Sequence, residues 1–185
     1  MYAGRPAWDI GQPQPVLLRL AESGGLRGSV LDVGCGTGEH ALMAARLGYP
    51  ATGVDTSARA VAIAQEKARE RALPAHFLVW NALDLPSLNK SFDVVLDSAL
   101  FHVFDDDQRI GYVDSLRGVV PVGGRYHMLC FSEREPGAWG PRRVSGDEIR
   151  STFVDGWRLD AVEPSTIELT TGHAADSWFV SATRI

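Results

Sequence analysis

Residues 29–55 constrain the fold of this chain more than any other stretch, and they read SVLDVGCGTGEHALMAARLGYPATGVD. A short apolar run is followed by a glycine-rich turn, a segment that ends near Gly48 and a second apolar run that ends on Asp55. This order predicts a strand, a helix and a parallel strand, with a nucleotide-sized binding site at the first turn. Gly34, Gly36 and Gly38 lie where the first strand becomes the helix, and glycine there lets a ligand approach the backbone closely.

Asp55 follows Gly34 by 21 residues and ends the second predicted strand, where its carboxylate can accept two hydrogen bonds from a ribose diol. A dinucleotide fingerprint would need glycine at the position of Glu39, whose charge would also oppose a pyrophosphate. The lysine and hydroxyl residue of a phosphate-binding loop do not follow the glycines. The pattern therefore disfavours a dinucleotide and a phosphate-binding loop, and an unliganded strand–turn–helix is a further alternative.

The rest of the chain continues the alternation of apolar strands and helices. Strands are predicted at residues 30–33, 51–54, 76–80, 92–96, 125–131, 157–163 and 177–184. Helices are predicted at about residues 39–47, 58–72 and 147–153, and a further helix is predicted to open at the aspartates of residues 105–107. The run at residues 92–96 is apolar throughout, as is typical of a strand buried on both faces of a parallel sheet. An α/β fold follows, in which ligands bind beyond the carboxyl ends of the strands.

Composition and charge narrow the class of protein further. The chain has 185 residues, a formal charge of −5 and no run of five basic residues, which argues against tight nucleic-acid binding. Cys35 and Cys130 are far apart and suggest neither a zinc site nor a disulfide framework. The three aspartates at 105–107 are explained as a helix cap, so no metal is expected. Without a leader or an 18-residue apolar stretch, we expect a soluble, cytoplasmic protein.

Asp32 followed by Gly34-Cys35-Gly36-Thr37-Gly38 is similar to motif I of the class I S-adenosylmethionine (SAM) methyltransferases. The Pro-x-Gly-Gly turn at residues 121–124 resembles another mark of that group. The resemblance covers nearly the whole chain. It implies a Rossmann-like, doubly wound, seven-stranded and mostly parallel sheet with a C-terminal antiparallel β-hairpin, a single domain over residues 1–185, and SAM as cofactor with S-adenosylhomocysteine as product.

The resemblance implies a set of cofactor contacts at the carboxyl ends of the strands. Asn81 stands where the family more often has Asp, and its amide oxygen can accept from the adenine amine while main-chain amides that follow it meet a ring nitrogen. Asp84 is the alternative for that role. The expected cofactor-binding residues are Trp8, Gln12, Asp32, Gly34, Cys35, Gly36, Gly38, Asp55, Thr56, Asn81, Ala82, Leu83, Asp97 and Ser98.

The N-terminal segment, with Trp8-Asp9 and Gly11, looks like the entry of the halide/thiol and thiopurine methyltransferase branch. There the segment folds over the cofactor site and an aromatic residue borders the substrate. The resemblance thus implies that residues 1–25 form a cap and that Trp8 contacts the substrate. A tryptophan that only pins the terminus to the core is the alternative.

His102 is the first candidate for a general base and Asp97 the second, since both follow the strand at residues 92–96. A packed, hydrogen-bonded histidine is an equal alternative. The loop at residues 132–145 is expected to be a substrate lid, in which Trp139 stacks on a flat substrate and Arg142 or Arg143 holds an anionic group. The expected substrate-binding residues are Trp8, Phe101, His102, Trp139 and Arg143.

The function predicted from this resemblance is methyl transfer from SAM to an O, S or N nucleophile of a small molecule by in-line displacement. The chain is similar to thiopurine, halide/thiol and tellurite-resistance methyltransferases and to actinobacterial enzymes for heterocyclic toxins or quinones. We expect a monomer or homodimer with no nucleic-acid or membrane partner. The alternatives are a non-catalytic SAM-binding module and an NAD(P)-dependent oxidoreductase, which Glu39 disfavours.

Overall fold

A computed structural model describes residues 6–185, so the first five residues of the predicted cap lie outside the described part of the chain. A seven-stranded sheet forms the centre, with strand order β3-β2-β1-β4-β5-β7-β6. The strands are β1 (Val30–Val33), β2 (Ala51–Asp55), β3 (Ala75–Val79), β4 (Val94–Ser98), β5 (Arg125–Phe131), β6 (Trp157–Glu168) and β7 (Ala174–Arg184). The pairs among β1 to β5 are parallel, and β7 is antiparallel to both β5 and β6. The predicted fold class is confirmed.

Helices cover both faces of the sheet because side chains alternate along the buried strands. In β1, Val30 packs on one face while Leu31 and Val33 pack on the other. The first face is covered by α1 (Pro15–Glu22), α2 (Glu39–Arg46) and α3 (Ala58–Glu70). The opposite face is covered by α4 (Asp106–Arg117), α5 (Gly146–Thr152) and two short 3-10 segments, Ala82–Leu88 and Phe101–Val103.

The last two strands are longer than the sequence predicts. The prediction ended the sixth strand at Glu163, but β6 continues through Pro164, which pairs with Trp178, to Glu168. Proline is tolerated there because β6 is an edge strand, so the missing N–H interrupts no second ladder. The extension matters for function because it carries Ile167 to the cavity described below.

The described residues contain neither a candidate membrane-spanning helix nor a candidate metal site. Among residues 6–185, no helix combines the length and apolar character needed to cross a membrane. Within the same residues, no three His, Cys, Asp or Glu side chains are grouped so that they could hold a metal ion.

Candidate functional site

One large cavity opens at the carboxyl ends of β1, β2, β4 and β5. Its volume is about 1270 Å³. Small-molecule pockets usually have about 300–1,000 Å³, so this cavity has room for a cofactor and an acceptor together. The walls comprise the glycine turn after β1, the N-terminal segment, the loop after β5 and the end of β6.

The glycine turn forms one wall, and its backbone conformation requires glycine. Gly34, Gly36 and Gly38 have φ values of 66°, 52° and 88°. A Cβ built on Gly34 would lie 2.9 Å from the Cβ of Leu100, so a side chain there would collide with the opposite wall. Gly34 and Gly36 line the cavity, whereas Gly38 packs behind it against Phe77.

Asp55 is held in place by backbone donors on two sides. Its Oδ2 accepts from the N–H of Gly36 at 2.9 Å, and its Oδ1 accepts from the N–H of Ser57 at 2.8 Å. A carboxylate has about four acceptor positions, so each oxygen keeps room for a further donor. Because Asp55 lines the cavity, those positions are available to a diol.

Asp32 lies behind the turn rather than in the cavity wall. Its Oδ2 accepts from the N–H of Ala41 at 3.0 Å, while Oδ1 is buried and has no hydrogen-bond partner among residues 6–185. Burial, together with the nearby charges of Asp55, Asp97 and Glu39, raises the pKa of Asp32 to about 8. Asp32 therefore supports the turn from beneath, through its hydrogen bond to Ala41, and does not line the cavity.

The N-terminal segment is fastened to the glycine turn and the helix after it. Thr37 Oγ1 donates to Oδ2 of Asp9 at 3.1 Å. The N–H of Gln14 donates to Nε2 of His40 at 3.1 Å. His40 is thus a buried side chain that is engaged in a hydrogen bond. Burial lowers the pKa of His40 to about 4, so the ring stays neutral and keeps this bond.

A second set of bonds joins the same segment to the C-terminal hairpin. The side chain of Gln14 donates to the carbonyl of Glu168 at 3.0 Å and accepts from its N–H at 2.8 Å. The N–H of Thr170 donates to the carbonyl of Ala7 at 2.8 Å. Between these anchors Trp8 and Gln12 line the cavity, and Trp8 is 43% exposed.

The segment after β3 uses some of the groups that were expected to meet an adenine ring. Oδ1 of Asn81 accepts from the N–H of Leu83 at 3.0 Å, so this amide oxygen and this N–H satisfy each other. Leu83 does not line the cavity, whereas Trp80, Asn81 and Ala82 do. Asp84, the predicted alternative, also lies outside the cavity wall.

Asp97 is completely buried and does not reach the cavity. Its Oδ2 accepts from the hydroxyls of Tyr112 at 2.8 Å and Tyr126 at 2.7 Å, and its Oδ1 accepts from the N–H of Leu100 at 2.9 Å. Burial raises the pKa of Asp97 to about 6. These contacts indicate that Asp97 orders the backbone after β4, where Ser98 does line the cavity.

His102 lines the cavity with its ring nearly buried. Its Nδ1 accepts from the N–H of Phe131 at 3.0 Å, and the two rings meet edge to face at 5.0 Å. Burial, together with the positive charges of Arg109 and Arg143, lowers the pKa of His102 to about 3. The imidazole is therefore neutral, with its proton on Nε2.

The loop after β5, residues 132–145, brings Trp139 to the cavity. Trp139 meets Phe131 and His173 edge to face at 5.5 and 5.4 Å. Arg143 does not line the cavity: its guanidinium donates to the carbonyls of Trp139 and Pro141 at 2.7 Å each and so supports the loop.

The other predicted substrate contacts in this region also have protein partners. Arg142 lines the cavity but forms ion pairs with Asp106 and Glu148. Phe101 is fully buried and stacks on Phe153 in the core, so it does not face a ligand. The expectation that an arginine of this loop is available for an anionic group is not supported by the geometry.

Several cavity residues were missed by the sequence analysis. Phe131 ends β5, and residues at the carboxyl ends of strands are expected to border a ligand, so its position in the cavity was predictable. Ile167 and Leu169 were hidden because the sixth strand was predicted too short. Trp80 ends the third predicted strand and therefore carried the same signal as Phe131. Other missed residues, among them Ile10, Gln14 and Arg59, carry no such signal.

Comparison with known proteins identifies relatives over most of the chain. A family model described as a methyltransferase domain matches residues 30–124. The 2-heptyl-1-hydroxyquinolin-4(1H)-one methyltransferase of Mycobacteroides abscessus is 36% identical, over 89% of this chain and 74% of the relative. A probable thiol methyltransferase of Arabidopsis thaliana is 28% identical, over 82% and 68%. A solved structure concerned with conversion of a disulfide bond into a thioacetal group during echinomycin biosynthesis has a TM-score of 0.90, with 35% identity over 97% and 84%.

Proposed function

This chain belongs to the class I SAM-dependent methyltransferases that act on small molecules, and we propose that its acceptor is a planar aromatic heterocycle methylated on oxygen. The relative at 36% identity is named for a hydroxyquinolinone, which is an acceptor of this kind. We further propose that residues 1–185 form one catalytic domain. Of the expected cap at residues 1–25, the part before α1 is proposed to serve as the cap, because it lines the cavity while α1 packs on the sheet. A non-catalytic SAM-binding module is the alternative, and turnover with any acceptor would exclude it.

The cofactor fits the cavity wall near the glycine turn. We assign the ribose diol to Asp55, whose two oxygens keep acceptor positions, and the close backbone approach to Gly34 and Gly36. Cys35, Thr56, Ala82 and Ser98 complete this wall. SAM, when bound, supplies a methyl group on a positively charged sulfur. The side chains of Asp9 and Asp55 give this part of the cavity an acidic lining that suits a cation.

The acceptor end of the cavity carries the proposal. Phe104, Phe131 and Trp139 present aromatic surface there, and Ile167 and Leu169 extend the apolar wall. Aromatic walls with a few polar groups are typical of pockets for flat ligands. His102 is a polar group at this end, beside Phe131. Trp8 from the cap is proposed to close the acceptor site from above.

A sulfur acceptor is the second candidate. It is favoured by the similarity to a probable thiol methyltransferase and to a structure concerned with the conversion of a disulfide bond. Among residues 6–185, the thiols of Cys35 and Cys130 are buried, and burial raises their pKa values well above the usual range, so neither is placed to form a covalent bond with an acceptor. Methyl transfer to oxygen and to sulfur proceeds by the same displacement, so an assay with one acceptor of each kind distinguishes the two candidates.

The residues of this chain contribute mainly alignment and exclusion of water. The N-terminal segment, fastened at Asp9 and Gln14, and the loop held by Arg143 both contribute to the wall that would enclose the two ligands. Holding two reactants in line can contribute up to about 7–11 kcal/mol to the lowering of the barrier. The leaving group is already activated by its positive charge, so the chain need not supply an acid.

Titration calorimetry with SAM and S-adenosylhomocysteine tests the first step of this proposal. Micromolar binding of both is expected, followed by methyl transfer to 1-hydroxyquinolin-4(1H)-one detected by mass spectrometry. An aromatic thiol serves as the matched sulfur acceptor. Binding without transfer to either acceptor class would favour the non-catalytic module, and absence of binding would contradict the assignment of the cavity.

A further inference from the structure

We infer that His102 is a fixed hydrogen-bond donor to the acceptor and not its general base, and that the enzyme takes its acceptor as a preformed anion. This inference rests on the proposed function and deepens it by naming the substrate class: compounds whose nucleophilic oxygen or sulfur is acidic enough to ionise near neutral pH. Neutral alcohols are outside that class.

The backbone of β5 decides which ring nitrogen of His102 carries the proton. The N–H of Phe131 donates to Nδ1 at 3.0 Å, and a backbone amide can only donate. A neutral imidazole carries one proton, which must then be on Nε2. Nε2 has no hydrogen-bond partner among residues 6–185 and is not among the fully buried unpaired atoms. Because the ring lines the cavity, Nε2 is accessible to a ligand there. The side chain therefore presents an N–H to a ligand.

A base at this position would need a second proton on the same ring. That proton could enter only at Nδ1, which would place two donors, Nδ1–H and the N–H of Phe131, against each other. A positive charge on the ring is disfavoured as well. Burial lowers the pKa of His102 most, and the nearby positive charges of Arg109 and Arg143 also lower it. Geometry and charge thus point to the same neutral state.

The other titratable groups of the cavity are already engaged. Each carboxylate or imidazole in the wall accepts hydrogen bonds from named protein donors. The pairs are Asp9 with Thr37, Glu39 with Lys67 and Arg71, His40 with Gln14, Asp55 with Gly36 and Ser57, and Asp105 with Gln108. Arg142 is a cation paired with Asp106 and Glu148. Asp97 lies outside the cavity wall and accepts hydrogen bonds from Tyr112 and Tyr126.

The chemical step balances without a base. The acceptor loses its proton to solvent before or during binding, and the resulting anion forms a bond to the methyl carbon. The bond from that carbon to sulfur breaks, and its electron pair stays on sulfur as the neutral thioether. His102 keeps its proton throughout; it stabilises the bound anion and fixes which lone pair faces the methyl group.

Two substitutions of His102 separate the donor from the acceptor function of the ring. In His102→Asn the side-chain oxygen can replace Nδ1 as partner of Phe131, and the cavity donor is lost. In His102→Gln the side-chain amide reaches the position of Nε2 and restores a donor. His127→Asn is the matched control, because His127 is another buried neutral imidazole, bonded to Ser181 and outside the cavity wall.

The readout is the absorbance of 1-hydroxyquinolin-4(1H)-one bound in the complex with S-adenosylhomocysteine, titrated with pH. In the wild type, the bound acceptor is expected to ionise at lower pH than the free compound. His102→Asn should raise that apparent pKa by about one unit or more and lower kcat/KM about 10- to 100-fold, the range for a hydrogen bond to a charged group. His102→Gln should recover part of the loss. No difference between His102→Asn and His127→Asn would overturn the donor assignment.

The wild type alone provides a second test that needs no substitution. Across ring-substituted 1-hydroxyquinolin-4(1H)-ones, the pH midpoint of kcat/KM should move with the pKa of the acceptor and level off above it. A midpoint that stays fixed across the series would reveal an enzyme base and overturn the inference, while leaving methyl transfer intact. Asp105→Asn, which keeps a good helix cap, should leave the midpoints unchanged; a shifted profile would make Asp105 that base.

Discussion

The carboxylate of Asp55, at the end of β2, accepts the backbone N–H of Gly36 in the turn after β1 at a distance of 2.9 Å. This bond joins the two strand ends that form the proposed cofactor wall. The same carboxylate accepts from Ser57 at the start of α3, so three elements converge on one side chain. The position of Asp55 is therefore set before any ligand binds.

Replacing Asp55 with Asn is expected to weaken SAM binding about 10- to 100-fold, because a hydrogen bond to a charged group contributes about 1.5–3 kcal/mol. Titration calorimetry measures the change. Asp84→Asn, an exposed carboxylate outside the cavity wall, is the control and should keep the Kd within about twofold. Equal Kd values for Asp55→Asn and the wild type would refute the ribose assignment.

Replacing Gln14 with Ala should release the N-terminal segment from β6. The buried side chain bonds both backbone groups of Glu168, and leaving them unpaired costs about 1–3 kcal/mol of unfolding free energy. Urea denaturation measures this loss, and limited proteolysis should show earlier cleavage near residues 7–12. Gln12→Ala, an exposed neighbour, should change the unfolding free energy by less than about 0.5 kcal/mol. The tethering role fails if the two variants unfold alike.

Asp32→Asn should change how stability depends on pH. The pKa of Asp32 is raised from 3.8 to about 8 by burial, so the unfolded chain ionises this group at lower pH than the folded one. The wild type should therefore lose stability relative to Asp32→Asn as pH rises from 5 to 8, by at most about 1.4 kcal/mol per pH unit.

Urea denaturation at several pH values tests this sign. Asp93→Asn is the control, because hydrogen bonds from Ser29 lower the pKa of Asp93 and its titration lies below this range. Parallel stability curves for the wild type and Asp32→Asn between pH 5 and 8 would contradict the buried, protonated state of Asp32.

Arg143→Met should loosen the loop at residues 132–145 and raise the KM for the acceptor. The guanidinium holds the carbonyls of Trp139 and Pro141, and hydrogen bonds of this kind contribute about 0.5–1.5 kcal/mol each, so about a tenfold rise is expected. The Kd for SAM should stay within about twofold, and amide exchange should accelerate across the loop. Arg150→Ala, an exposed ion-pair partner of Asp147, is the control. A change in SAM affinity instead of KM would reject the supporting role.

Much of the fold was predictable because the signals are local. The apolar run of β1, the glycines after it and Asp55 lie within 27 residues, and their spacing fixes a strand–helix–strand unit. The length of β6 was not predictable from the sequence, because whether Pro164 ends a strand depends on whether that strand lies at a sheet edge. That is a property of the complete sheet.

The site likewise has residues that were predictable from local sequence and residues whose role depends on distant contacts. Gly34, Asp55 and Ser98 follow strand ends and were predicted to border the cavity, where the structure has them. The state of His102 depends on an N–H contributed by Phe131, 29 residues away, and no spacing rule relates the two. Arg143 was expected to bind a ligand, but its guanidinium donates to the carbonyls of Trp139 and Pro141 in its own loop.

The bonds between Gln14 and Glu168 have a consequence for how this protein is made, since 154 residues separate them. At about 5–20 residues per second, a ribosome needs roughly 8–30 seconds to pass from one to the other. Throughout that interval the early segment has no hairpin to hold it, and the cavity lacks the wall that β6 supplies. The chain therefore becomes able to retain its ligands only after β6 has been made and has bonded to Gln14.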